Sequence, residues 1–224
     1  MPELTAAIAA DGFAIVPPIV PRHVIDDLIS RMADAPHAIR DLISAVPAVG
    51  DLARRPEIRG LAETILGPGA FVARAILFDK TTGANWKVAW HQDLTIAVRE
   101  RREVAGFGPW SEKAGIPHVQ PPVDVLERML ALRIHLDPCG PENGPLRVLP
   151  GSHGCGKLDA QAIADRRRST PEVPCLADRG GIVILRPLLL HASSPAASPG
   201  HRRVIHLEFA AEDLPGPLEW HGRW

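Results

Sequence analysis

Apolar residues change their spacing about a third of the way along the chain. Between Pro21 and Met32 they recur at helical intervals, with Val24, Ile25, Leu28, Ile29 and Met32 on one stripe. A helix is expected there and another around Asp41 to Val46. A third is expected from Pro56 to Leu66, where proline suits the first turn and Gly67 the stop. Before them, GFAIVPPIV (12–20) reads as a short strand cut off by Pro17 and Pro18. From residue 70 the composition turns to that of strands. AFVARAILF (70–78), KVAWHQDLTIAV (87–98), MLALRIHLD (129–137), PLRVLP (145–150), GGIVILRP (180–187) and RRVIHLEFA (202–210) each read as one strand. Turn signals separate them at Thr82-Gly83, Pro138 to Pro145, Pro150-Gly151, Gly180-Gly181 and Ser198 to Gly200.

Helices first and many strands afterwards predict a sheet sandwich or barrel with helices packed outside. The whole of 1–224 reads as one domain, with a helical N-terminal region over residues 1–68 and a β core at about 70–210. Residues 99–128 form a long insertion rich in proline and charge, of a length usual for lids or binding loops. Residues 157–178 form a second excursion, helical near Asp159 to Arg168.

Composition narrows the function classes. Hydrophobic residues make up 46% of the chain and charged ones 23%, the balance of a globular protein rather than a disordered one. The formal net charge of −1 offers no basic excess for nucleic acid or an anionic membrane. No segment is long and apolar enough to span a bilayer, and no signal peptide is recognisable. Three widely spaced cysteines, Cys139, Cys155 and Cys175, suit a reduced, cytoplasmic setting.

Candidate chemistry starts at His91 and Asp93, two apart in a segment expected to be a strand. Alternate strand residues share a face, so an imidazole and a carboxylate would be presented together, with Gln92 facing away. A third ligand is needed. Most of the ten histidines lie in helix, loop or turn contexts, among them His23, His37, His118, His153 and His221, and read as surface or packing residues. His191 differs: it ends the apolar run RPLLLH and precedes the small-residue loop ASSPAASPG. Two histidines and a carboxylate form the facial set of non-haem Fe(II) oxygenases, which leaves positions open for a co-substrate and dioxygen. A 2-oxo acid co-substrate needs a fixed cation for its far carboxylate, and a guanidinium matches that group with two parallel hydrogen bonds. Arg202 opens the strand RVIHLEF in phase with His206 and Glu208, making one face of that strand polar. That face either lines a site or meets solvent, as on an edge strand. A zinc hydrolase on the same three ligands, or a metal-binding scaffold without turnover, remain alternatives.

Together, WHQD (90–93), ENGPLRVLPGSH (142–153) and LHASSPAASPGHRR (190–203) resemble the phytanoyl-CoA dioxygenase family of Fe(II)/2-oxoglutarate oxygenases. The resemblance runs from about Phe78 to Phe209. It implies a mainly β fold with flanking helices, a double-stranded β-helix of the jelly-roll, cupin-like kind. It implies His91, Asp93 and His191 as iron ligands and Arg202 as partner of the 2-oxoglutarate C5 carboxylate. Ser193 matches an assisting hydroxyl, and Arg133 falls where a side chain reaches the co-substrate. Retention of Asp93 favours hydroxylation over halogenation, because related halogenases replace that carboxylate by a small residue. The implied partners are dioxygen and a small-molecule substrate.

Overall fold

The protein's structure, a computed structural model, describes residues 2–224. The first third runs α1 (Pro2–Ala10), β1 (Phe13–Val16), α2 (Arg22–Arg31), β2 (Ala38–Ile39), α3 (Leu42–Ala45), α4 (Ala48–Arg54) and α5 (Pro56–Leu66). The middle contains β3 (Phe71–Lys80), β4 (Val88–His91), β5 (Ile96–Ala97), β6 (Trp110–Lys113), β7 (Ile116–Val119), α6 (Val123–Glu127) and β8 (Leu130–His135). The last third contains β9 (Leu146–Val148), α7 (Ala160–Ser169), β10 (Val173–Cys175), β11 (Ile182–Leu185), β12 (His191–Ser193) and β13 (Arg202–Ala210).

Two antiparallel sheets form the jelly-roll core. The larger has the order β1-β11-β8-β13-β3-β2 and the smaller β10-β9-β12-β4. A separate three-stranded sheet, β5-β7-β6, packs at one end. Strand parity divides the larger sheet into a dry face and a wet one. Ile205, Leu207 and Phe209 of β13, Leu132 and Ile134 of β8, and Ile182 and Ile184 of β11 bury themselves against α1–α5. The opposite phase carries Arg74, Phe78 and Lys80 of β3, Arg133 and His135 of β8, and Arg202, His206 and Glu208 of β13. That polar face turns inward, toward the smaller sheet.

One expectation is corrected, and two points left open by the sequence are filled in. KVAWHQDLTIAV is not one strand: pairing stops at His91, residues 92–95 are irregular, and only Ile96–Ala97 resume it. β13 is no edge strand, since β3 and β8 flank it, so its polar face does not meet bulk solvent. The insertion 99–128 holds the β6–β7 hairpin and α6, none of which its composition suggested. The hairpin turns at Ala114 (φ 53°) and Gly115 (φ 76°), the paired left-handed residues of a tight two-residue connection. A helix over α1 was also missed, its apolar stripe being weak, with Ile8 the buried contact.

Candidate active site

The inward polar face and the smaller sheet enclose a cavity of about 200 Å3. His91, Asp93 and His191 reach into it from the smaller sheet and its margin, and Arg74, Arg133, Arg202, His206 and Glu208 from the larger one.

His91 and His191 meet because β4 and β12 pair in antiparallel register, placing the two residues directly opposite each other. Their ring centroids are 4.2 Å apart. Asp93 arrives by another route. Beyond the end of β4 the Gln92 side chain anchors the turn: its Nε2 donates to Gly156 O (2.7 Å) and Leu188 O (2.7 Å), and Leu158 N donates to its Oε1 (2.8 Å). Asp93 N donates to Pro187 O (2.9 Å). The carboxylate is thereby swung under the two imidazoles, 3.7 Å from His91 Nε2 and 3.6 Å from His191 Nε2. One ligand atom from each of the three residues lies within 4.8 Å of the others.

The tautomers follow from the partners. His91 Nδ1 lies 2.8 Å from Ala89 O and His191 Nδ1 2.9 Å from Leu189 O. A carbonyl only accepts, so each Nδ1 donates and each Nε2 is the ring nitrogen that faces Asp93. Burial lowers His191 to about 4, which keeps it neutral near pH 7. Burial alone would raise the Asp93 carboxyl, but His191, His206 and His91 outweigh it and hold it at about 2. Two imidazole Nε2 atoms and an ionised carboxylate are the donor set a divalent transition metal takes. The residues fit such an ion.

At one end of the cavity Arg202 donates from Nη1 to Gly144 O, while its buried Nε has no partner. Arg133 sits over the Phe78 ring at 5.5 Å, with Nη1 3.2 Å from His206 Nδ1 and its buried Nε likewise unpartnered. Burial, with Arg202 nearby, lowers Arg133 to about 10, so it stays charged near pH 7. Neither guanidinium has a carboxylate in salt-bridge range among the described residues. Two buried cations with idle N–H groups fit an anionic co-substrate with a carboxylate tail. Ser193 stands beside them on β12, its Oγ accepting from Lys80 Nζ at 3.2 Å. Lys80 also donates to Ser194 O (2.6 Å) and is buried, its ammonium lowered to about 8 by desolvation and then by Arg202.

At the other end Arg74 and Glu208 form a buried ion pair, with Nε to Oε2 at 2.9 Å. His118 Nε2 lies 2.6 Å from Arg74 Nη1, and its Nδ1 2.9 Å from Ile116 O. An arginine only donates, so Nε2 accepts and His118 is neutral. Burial accordingly pushes His118 down to about 4. Sequence reading missed this residue because it sits in the insertion. The available signal was its alternation with Ile116 and Pro117 beside a Gly115 turn.

An antiparallel jelly roll with a two-histidine, one-carboxylate cluster between its sheets defines a class of non-haem metal proteins. The chain belongs to the phytanoyl-CoA dioxygenase family (PhyH), one of Fe(II)- and 2-oxoglutarate-dependent oxygenases, whose signature matches residues 43–204. A curated relative, L-proline trans-4-hydroxylase of Streptomyces griseoviridis, is 32% identical over 120 residues, 53% of this chain and 36% of the relative. The chain thus matches about a third of that relative's length. Among solved structures, EctD from S. alaskensis with 2-oxoglutarate and 5-hydroxyectoine superposes with a TM-score of 0.73 at 19% identity, covering 94% of this chain and 76% of that one. AviO1 from Streptomyces viridochromogenes Tue57 gives 0.67 at 25% identity, covering 96% of each chain. Among the described residues no helix is long and apolar enough to cross a membrane.

Proposed function

We propose that this chain is a dioxygenase that uses Fe(II) and 2-oxoglutarate to hydroxylate a small-molecule metabolite, releasing succinate and carbon dioxide. The observation that carries this reading is the pairing of the His91, Asp93 and His191 cluster with the buried guanidinium of Arg202, whose Nε has no partner and which no carboxylate meets in salt-bridge range among the described residues. In the proposed assignment the first three hold the metal through His91 Nε2, His191 Nε2 and a carboxylate oxygen of Asp93. Arg202 binds the far carboxylate of 2-oxoglutarate. Arg133 adds a second positive charge near it, and Ser193, held by Lys80, lends a hydroxyl. When bound, Fe(II) together with 2-oxoglutarate supplies the activation of dioxygen.

The protein's own work is positioning and exclusion. The carbonyls of Ala89 and Leu189 fix the imidazoles, and the sheet faces bury Arg133 and Arg202 at the proposed co-substrate end. Residues 99–128, carrying the β6–β7 hairpin, close one side and are proposed as a lid. A cavity of about 200 Å3 is smaller than the roughly 300–1,000 Å3 of drug-sized clefts and suits a compact substrate. The partial match to an L-proline hydroxylase supports a small free metabolite over an acyl thioester. A hydrolytic zinc site would have no use for two buried, unpaired guanidiniums.

The test is an anaerobic titration with Fe(II) and 2-oxoglutarate, watching for the metal-to-ligand charge-transfer band, followed by oxygen and an assay for succinate. Band and succinate together are expected. Absence of both across a substrate panel overturns the reading.

A further inference from the structure

The cavity carries more positive charge than its proposed metal and co-substrate consume. Arg40, Arg74, Lys113, Arg133 and Arg202 line it against two carboxylates, Asp93 and Glu208. Fe(II) and the 2-oxoglutarate dianion add nothing net. Arg74 is matched by Glu208, and Arg202 by the far carboxylate of the co-substrate. Asp93 and the near carboxylate together offset the metal. Arg133, Arg40 and Lys113 are left without a counter-charge.

The last two stand apart from the co-substrate end. Arg202 and Glu208 mark opposite ends of the polar face of β13, roughly 20 Å apart at about 3.4 Å per residue. Lys113, at the end of β6, lies toward Glu208: Arg74, Arg40, Glu208 and Asp93 are the charges that act on it. Its ammonium is lowered by burial first and then by Arg74 and Arg40, so two further cations face it. Arg40 comes from a different element, the segment between β2 and α3, and is exposed at the mouth. Lys113 donates to Thr95 Oγ1 at 2.9 Å. Among the described residues neither cation has a carboxylate within salt-bridge range. Elsewhere this chain pairs its exposed arginines freely, as in Arg31–Asp27, Arg59–Glu63 and Arg99–Glu219. Two cations without a carboxylate partner thus converge from separate elements on one cavity mouth and leave it positively charged.

We infer that the primary substrate carries an anionic oxygen group, a carboxylate or a phosphate, which docks between Arg40 and Lys113 and holds the rest of the molecule over the metal cluster. The inference rests on the oxygenase reading above and names the substrate class of that site. Charge-assisted hydrogen bonds from two directions fix both position and orientation, which hydroxylation at one carbon needs.

The test uses the anaerobic protein saturated with Fe(II) and 2-oxoglutarate, so that the Arg202 end is filled. Carboxylic acids of amino-acid size are each paired with their primary amide, and phosphate monoesters with the parent alcohol. Perturbation of the charge-transfer band reports docking beside the metal. Members bearing the anion are expected to shift the band while their neutral partners do not, and the acid and phosphate arms tell which oxyanion is used. For the anions that bind, Arg40→Gln and Lys113→Met are each expected to weaken binding by about tenfold or more, the size of one charge-assisted hydrogen bond. Both variants should still form the band itself. Neutral members acting as strongly as anions, anions binding both variants unchanged, or silence of every anionic member would each overturn the inference. Absence of the band in the unliganded wild type would instead overturn the oxygenase reading, so the two failures are distinguishable.

Discussion

Arg202 carries its charge into a cavity where, among the described residues, no carboxylate pairs with it. The expected outcome of Arg202→Ala is a loss of 2-oxoglutarate affinity of roughly 30-fold or more, from the 2–5 kcal/mol typical of a buried charge pair. Fe(II) affinity should stay near wild type, because Arg202 touches neither imidazole nor Asp93. Isothermal titration of each ligand separates the two effects, and an unchanged 2-oxoglutarate constant would refute the role assigned to Arg202. Arg74 makes the contrasting case, a buried cation whose partner is present. Arg74→Met strands Glu208 without its ion pair, and a loss of about 3–5 kcal/mol in urea unfolding is expected. The double variant Arg74→Met, Glu208→Met should recover much of that loss, since it removes both charges together. His91, Asp93, His191 and Arg202 stood out in the sequence because their chemistry is unusual in their local context. His118 did not, because what makes it matter is Arg74, 44 residues away in the chain.

At the level of elements, the longest apolar patterns were legible and the breaks in them were not. α5 occupies Pro56–Leu66 as its proline start and glycine stop imply, and α7 follows Asp159, whose side chain accepts from Ala162 N. The segment KVAWHQDLTIAV misled because Leu94, Ile96 and Val98 continue a period of two across the unpaired break at residues 92–95. Side-chain alternation records which residues are buried, and burial here comes from packing under the three-stranded sheet, not from a continuous ladder. So His91 and Asp93 share a site through a turn anchored by Gln92, not through strand parity. That assigns Gln92 a measurable task. Gln92→Ala removes three hydrogen bonds, one of them to the buried Leu188 carbonyl and two to the part-buried Gly156 O and Leu158 N. A loss of about 2–4 kcal/mol in stability is expected, with Fe(II) affinity falling by roughly 10–100-fold as Asp93 loosens. Calorimetry with and without metal checks both, and wild-type metal affinity in this variant would mean the turn holds without its anchor.

Across the whole molecule, the jelly roll places a polar sheet face inside, so the fold itself buries ionisable groups and becomes sensitive to pH. Three imidazoles are held below their ordinary range by burial: His118 at about 4, His135 at about 3 and, in metal-free protein, His191 at about 4. Neither ring nitrogen of His135 has a hydrogen-bond partner among the described residues. In the unfolded chain these groups take up protons near pH 6.5, while the folded chain declines them until about pH 4 or below. Between those limits the unfolded state binds more protons, so stability falls as pH falls. The loss approaches about 1.4 kcal/mol per pH unit for each group, and it begins above the range in which Asp93 and Glu208 would contribute. Urea midpoints of the metal-free protein from pH 7 to 4.5 should therefore fall steeply. His135→Leu, which replaces an unpartnered imidazole by an apolar side chain of similar size, should remove about a third of that slope with little cost at pH 7. An undiminished slope would mean that His135 titrates in the folded protein as it does in the unfolded one. Added divalent metal should raise the midpoints near pH 7 without flattening the slope, because metal-bound His191 still declines the proton that the unfolded chain takes up, and that gain should vanish in His191→Ala.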